Sequence, residues 1–245
     1  MPELQLSVVM PVYNERPTVL EILRRVRELP IEKEIIIVDN CSTDGTRELL
    51  QGLTYGDVKV VLQPRNMMKG NSVKRGIALA QGEYVVVQDG DLEYDPTDLV
   101  TMLEAIGQEG VLAVFGSRMM GAQQRGERLP KTVYRLGGDL VNLVFQLLFG
   151  SPLTDIASCY KLAPRSVLQS LELACDSFDL DFETAAKLQM AARKCGQKIL
   201  ELPIHYAPRS VREGKKITWR DGLHAVATLW RVRFGTLKPC RDSGQ

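Results

Sequence analysis

Over its first 117 residues the chain alternates short apolar runs with stretches whose apolar positions recur every three or four residues. The runs Gln5 to Met10, Glu34 to Val38, Val58 to Leu62, Tyr84 to Gln88 and Leu112 to Gly116 are rich in Val and Ile and predict strands. Between them, Pro17 to Leu29, Thr43 to Leu53, Asn71 to Ala80 and Pro96 to Gln108 predict helices, with signals such as Pro in a first turn and Gly after a last one. Strands alternating with helices make an α/β fold with a mostly parallel sheet covered on both faces. The second half is less regular. Lys131 to Phe149 and Phe182 to Lys194 read as helices, Lys198 to His205 as a strand, and a basic loop leads into a helix over Trp219 to Phe234. No repeat or low-complexity tract interrupts the chain, so one domain over 1–205, followed by a basic loop and amphipathic helix over 206–245, is the simplest division.

Composition narrows the class. With 245 residues, 44% apolar and 25% charged, the chain can bury a sizeable core. Its five cysteines (Cys41, Cys159, Cys175, Cys195, Cys240) are widely spaced, without a CxxC pair or a zinc-like His partner, and read as reduced thiols of a cytoplasmic protein. The N-terminus lacks the basic and long apolar regions of a secretory signal. No apolar run approaches the roughly 18 residues of a spanning helix; Leu140 to Phe149 is interrupted by Asn142 and Gln146. Residues 206–245 hold nine Lys/Arg against three Asp/Glu, which leaves the rest net acidic and points to a phosphate-bearing partner at the C-terminal end.

In a parallel sheet, ligands bind at the carboxyl ends of the strands. Three polar clusters fall there: Tyr13-Asn14-Glu15, Asp39 through Asp44, and Asp89-Gly90-Asp91. Asp89 and Asp91, with Glu93 near by, offer hard oxygen donors that suit Mg²⁺ or Mn²⁺ shared with a substrate's phosphates. A solvated acidic turn is the plain alternative for so common a motif. Asp39 at a strand end can accept from a base or ribose, whereas Asp44 reads better as a helix cap. Tyr13 offers a ring for stacking and Glu15 a carboxylate for a hydroxyl; capping explains Asn14 equally well. Lys69, Lys74 and Arg75, set among glycines, suit either a phosphate-facing loop or a solvated helix start.

The segments PVYNE (11–15), IIIVDNCSTDGT (35–46), NMMKGNSVKRGIALAQGEYVVVQDGDLEYDP (66–96), GSR (116–118) and TDIASCYKL (154–162) stand in an order that resembles family 2 glycosyltransferases, nearest to polyprenyl-phosphate (dolichol-phosphate) mannose and glucose synthases, over nearly the whole chain. The resemblance implies a GT-A fold, a nucleotide diphosphate sugar donor, Mg²⁺ or Mn²⁺, and inversion at the anomeric carbon. Carried over by motif, Pro11, Tyr13, Glu15, Val38, Asp39, Asp89, Gly90 and Asp91 would line the donor pocket. Asp89, Asp91 and Glu93 would hold the metal, and Arg118, Arg209 and Lys215 would face phosphate. Three positions depart from the pattern: Asn40 for the second Asp of the usual VDD, Gly90 for Ala, and Glu93 where several mannose synthases have Gln. GDP-mannose and UDP-glucose therefore both stay open as donors.

An anionic phosphate acceptor needs no strong general base, whereas a hydroxyl does. Asp155 is the first candidate for a base or an acceptor-positioning group, with a structural hydrogen-bonding role of equal weight; Asp181 and Glu183 stand at a helix entry where capping is the simpler role. Asp91, Asp155 and Arg118 are thus the expected catalytic set. The last helix carries Trp219, Leu223, Val226, Trp230 and Phe234 on one face and Arg220, His224 and Arg231 on another, which fits docking on the protein's own core, a partner, or a membrane surface. The leading reading is transfer of a hexose to a lipid phosphate at the cytoplasmic face of a membrane, reached by surface contact or through a membrane partner subunit. The alternative is a soluble transferase acting on a hydroxyl of a small molecule, glycan or protein. A nucleotide-sugar-binding protein without catalysis is disfavoured by the intact acidic and basic positions, and a nucleotidyltransferase by the absence of a glycine-rich loop ending in Arg or Lys after the first strand. Nucleic acid is not among the expected partners; the helix ending at Phe149 and the last helix each allow self-association.

Overall fold

Val- and Ile-rich runs bury well on both faces of a sheet, and here they do. The computed structural model describes residues 4–127, 133–209 and 219–235. Four parallel strands form its first half: β1 (Leu6–Val12) lies between β2 (Lys33–Asp39) and β4 (Tyr84–Val87), and β2 pairs with β3 (Val58–Leu62). With β5 (Val111–Ser117), β6 (Lys161–Pro164) and β7 (Lys198–Pro203) the sheet takes the order β3-β2-β1-β4-β6-β5-β7. β6 runs antiparallel to β4 and β5, and β7 runs parallel to β5.

The described helices are α1 (Val19–Arg27), α2 (Thr46–Gln51), α3 (Met68–Leu79), α4 (Asp98–Ile106), α5 (Arg118–Gln124), α6 (Val133–Phe149), α7 (Arg165–Ser170), α8 (Leu180–Lys194) and α9 (Trp219–Arg233). Alternation along the strands divides the core in two. Val8, Met10, Ile35, Ile37 and Val86 face α1 and α4; Val9, Ile36, Val38 and Val85 face α3, α6, α8 and α9. Each such side chain contributes about 1.5–3 kcal/mol on burial. α1 shows how the pattern works: Val19, Ile22, Leu23 and Val26 are buried at helical spacing, while Arg24 and Glu28 pair on the outside, where such pairs add little. α3 lies directly on β1 because Gly76 has no side chain; a Cβ there would stand 2.2 Å from Val9 Cγ1.

The expected strands and long helices are present, with ends shifted by a few residues. α2 starts at Thr46, after Gly45 turns the chain at φ +94°, and α3 starts at Met68. Lys131 and Thr132, read as part of the α6 helix, lie outside the described residues. Three elements had no clear signal: β6, α5 and α7, of four, seven and six residues, are too short to show a period. α9 buries Ala225, Leu229 and Val232 against α6 and α8, and Val226 packs partly with them, whereas Leu223, Trp230 and Phe234 face outward. The side chains of Trp219 and Arg220 lie outside the described residues. No helix among the described residues is long and apolar enough to cross a membrane.

Candidate active site

The loops leaving β1, β2 and β4 and the start of α3 meet at the carboxyl edge of the sheet. Asn14, Cys41, Met68 and Leu92 there all adopt left-handed backbone, with φ of 55°, 63°, 70° and 62°. Strained backbone of this kind persists where surrounding bonds enforce it. Asn14 Oδ1 accepts from the Thr43 N–H at 2.8 Å, the Asn14 N–H donates to Ser42 Oγ at 2.9 Å, and the Glu15 N–H donates to Thr46 Oγ1 at 3.0 Å. Asp44, expected as a helix cap, instead stands one residue before the N-cap Gly45 and closes a turn there, accepting from the N–H and hydroxyl of Thr46 and from the Arg16 N–H.

Pro11 and Val38 are buried in the β1–β2 ladder, paired with each other, and form floor rather than exposed contacts. Asp39, at the end of β2, is fully buried; it accepts from the Ser42 N–H at 3.3 Å and pairs with Arg47 at 3.2 Å. Asn40 gives a reason for its departure from the family pattern. Its amide donates to Asn66 Oδ1 at 2.9 Å and accepts from the Met67 N–H at 2.7 Å. A carboxylate could accept there but not donate.

β4 delivers Asp89 and Asp91. The intervening Gly90 is held by the Thr18 hydroxyl, which donates to its carbonyl at 2.7 Å. A Cβ at Gly90 would meet Val12 Cγ2 at 3.4 Å, an ordinary contact, so an Ala would fit there. Asp89 is paired with Lys69 at 2.8 Å; Lys69 lies 3.6 Å from Asp181, which lies 3.7 Å from the buried Lys161. Burial opposes the charge on Lys69, but Asp89 and Asp181 hold its pKa above the ordinary value. Glu183, by contrast, is buried and accepts from the Ala174 and Cys175 N–H groups, a structural role.

Asp91 pairs with Arg209 at 2.7 Å, and the same guanidinium reaches Glu15 at 2.9 Å. Glu93 receives the Arg209 N–H at 2.8 Å and the Tyr206 hydroxyl at 2.9 Å. Burial, then Asp89 and Glu93, push the Asp91 carboxyl up to about 6 in spite of Arg209. Next to this cluster, Arg118 grips Asp155 with two bonds of 2.7 Å from its guanidinium and a third of 2.9 Å from its N–H, and lies 5.1 Å over the Tyr206 ring. Asp155 sits in the loop before β6, 2% exposed, with both oxygens on Arg118. Its own N–H and that of Thr154 donate to Glu201.

The fold thus joins Glu15, Asp91, Glu93, Arg209, Arg118 and Asp155 into one network, with Asp89 beside it. Asp39 is held in separate bonds. Tyr13 lies half-buried at the end of β1. Lys215 lies outside the described residues. Tyr206, the link between Arg118 and Glu93, carried no signal as a lone aromatic in a loop. Lys69, whose sequence context suits either a phosphate-facing loop or a solvated helix start, is placed on the Asp89 carboxylate.

Among the described residues no three His, Cys, Asp or Glu side chains are grouped to hold a metal by themselves. The donor set nonetheless fits a divalent cation that takes its other ligands from phosphates: hard oxygens stand on both sides of Gly90, and burial together with the neighbouring Asp89 and Glu93 carboxylates raises the Asp91 pKa.

A seven-stranded, mostly parallel sheet with a DxD pair at its carboxyl edge, flanked by arginines, is the architecture of the GT-A fold. The chain matches the profile of Glycosyl transferase family 2 over residues 7–171, and it belongs to that family. It is 30% identical over 203 residues to "Glycosyltransferase AglJ" of Haloferax volcanii, covering 82% of this chain and 63% of that protein. It is 28% identical over 218 residues to an undecaprenyl-phosphate 4-deoxy-4-formamido-L-arabinose transferase of Pseudomonas fluorescens, covering 85% and 59%. The chain therefore spans about three-fifths of the length of these relatives. Among solved structures, mannosyl-3-phosphoglycerate synthase of Rubrobacter xylanophilus superposes with a TM-score of 0.67 at 18% identity, covering 99% of this chain and 78% of that one. Glucosyl-3-phosphoglycerate synthase of Mycobacterium tuberculosis, solved with Mg²⁺ and uridine diphosphate, gives 0.66 at 21%, covering 98% and 81%. At these identities the likeness establishes the fold.

Proposed function

We propose that the chain transfers a hexose, with inversion, from a nucleotide diphosphate sugar of the GDP-mannose or UDP-glucose type to a polyprenyl phosphate, with Mg²⁺ or Mn²⁺. Residues 1–205 act as the catalytic domain, and 206–245 supply Arg209 and Lys215 of a basic loop, followed by α9. The observation that carries the reading is the joined network of acidic and basic groups: Asp89, Asp91 and Glu93 beside Arg209, and Arg118 locked on Asp155. Asp89 and Asp91, with Glu93, would hold the metal, which when bound neutralises charge on the departing diphosphate. Pro11, Tyr13, Glu15, Val38, Asp39 and Gly90 form the donor end. Arg118 is aimed by Asp155 toward phosphate, so Asp155 is a positioning residue.

With both Asp155 oxygens held by Arg118, that carboxylate is not free to take a proton, which favours an acceptor that is already a phosphate anion. The names of the curated relatives from Pseudomonas support the same acceptor class. The reaction would take place at the cytoplasmic face of a membrane. A hydroxyl acceptor is the second reading: Asp181 is a fifth exposed where Asp155 is buried, and it could take a proton only once freed from Lys69 and Lys161, 3.6 and 3.7 Å away. The test is to incubate the protein with Mn²⁺, a panel of GDP- and UDP-sugars and a short polyprenyl phosphate, and to separate the glycolipid. Glycolipid that forms with one donor and vanishes in Asp91→Ala supports the assignment. Donor turnover that ignores the lipid and depends on Asp181 overturns it.

A further inference from the structure

α6 and α9 pack along one another, and each turns an apolar row outward. On α6, Val141, Phe145 and Phe149 enter the core, while Leu140, Leu143 and Leu147 are 58%, 49% and 76% exposed. On α9 the exposed row is Leu223, Trp230 and Phe234, at 61%, 54% and 53%, with the Trp230 and Phe234 rings 4.2 Å apart. Met190 of the adjoining α8 is also exposed. Single exposed apolar residues are ordinary; rows on two helices in mutual contact, with Met190 of α8 beside them, form a surface that marks an interaction site.

Acidic residues stand only toward the amino-terminal side of these rows, at Asp139 and Asp221; toward the carboxyl ends of the helices, residues 140–149, 188–196 and 222–235 contain Arg193, Lys194, Arg231 and Arg233 and no Asp or Glu. Arg193 and Arg233 flank a recess floored by Leu148, Phe149 and Met190 at the carboxyl ends of α6, α8 and α9. Each donates to a carbonyl there, Arg193 to Gly150 and Arg233 to Leu148, so their positions are set by the fold. Helix carboxyl ends favour cations. Pairing the carboxyl ends of this face with those of a second copy would set cations against cations. An anionic lipid leaflet answers both features, taking Leu, Trp and Phe below its headgroups and the arginines at its phosphates.

We propose that this face of α6 and α9, with the end of α8, docks on an anionic bilayer surface. The polar side of α6 connects it to the site. Asn142 donates to the Thr154 carbonyl and accepts from the Ile156 N–H, and Gln146 donates to the Leu153 carbonyl. The helix is thereby fixed to the segment that carries Asp155 and, through it, Arg118. Docking by α6 would set the Arg118 end of the site near the leaflet; that consequence rests on the polyprenyl-phosphate reading.

Flotation of the full chain with phosphatidylcholine vesicles, with and without phosphatidylglycerol, tests the surface. The wild-type protein floats with the anionic vesicles and is released by salt. L147Q/W230Q, which alters only exposed positions, partitions at least about tenfold more weakly, and R193Q/R233Q loses the preference for phosphatidylglycerol; thermal melting confirms that both fold. Equal flotation with neutral and anionic vesicles, or wild-type flotation by L147Q/W230Q, overturns the proposal. So does a wild-type dimer that L147Q/W230Q converts to monomer, which would make a second copy the occupant. Flotation without glycolipid formation would leave the surface standing and overturn the acceptor reading, while turnover of a water-soluble short-chain polyprenyl phosphate without flotation would do the reverse.

Discussion

Asp91 titrates near 6 because burial, Asp89 and Glu93 together outweigh the attraction of Arg209. Its folded pKa lies above the unfolded value near 3.9, so its contribution to stability is fully present below that value and is lost as pH rises through about 6. In metal-free buffer at pH 7.5, Asp91→Asn should therefore unfold at higher denaturant than wild type, by about 1–3 kcal/mol, with the gap narrowing as pH falls through 6. Protons compete with a cation for the same oxygens, so Mn²⁺ titrations should show weaker binding below that pH. Asn40→Asp removes the donor to Asn66 and adds a charge beside the buried Asp39, which should cost about 1–3 kcal/mol in the same denaturation assay. Arg118→Lys cannot keep two parallel bonds to Asp155, and it should lower the melting temperature and glycolipid formation together. The residue types at the strand ends were legible, since DGD, PVYNE and GSR stand in the sequence. The pairing was not: Arg209 meets Glu15 across 194 positions, and nothing local foretells that contact.

Among the elements, those with the longest periods were read most faithfully. β1 and β2 are seven-residue runs buried on both faces, and α8 keeps its pattern over fifteen residues. β6 escaped because Lys161-Leu-Ala-Pro164 is too short to alternate, and its reversed direction depends on pairing with β4 and β5, which no local signal encodes. α9 illustrates a different limit. The apolar stripe with the tryptophans was visible, but the smaller residues Ala225 and Thr228 take part in the buried face, because they allow close approach to α6 and α8. Close approach also governs α3. Gly76→Ala must push Val9 or lift the helix from β1, and should destabilise the protein by about 1–3 kcal/mol in chemical denaturation, with the circular dichroism spectrum retained.

At the scale of the whole molecule, the sheet gathers loops from distant parts of the chain at one edge, and the second core seats α6 and α9 against the same framework. α6 links the two through Asn142 and Gln146, so the outward apolar face and the Asp155 loop belong to one packed unit. The central claim is that the acceptor is a lipid phosphate and that transfer requires a divalent cation. The most direct measurement compares nucleotide diphosphate release with a short polyprenyl phosphate and with the corresponding polyprenol, each with Mn²⁺ and with chelator. Release that needs both the phosphate and Mn²⁺ is the predicted result; equal release with the polyprenol, or release undiminished by chelator, would contradict the account.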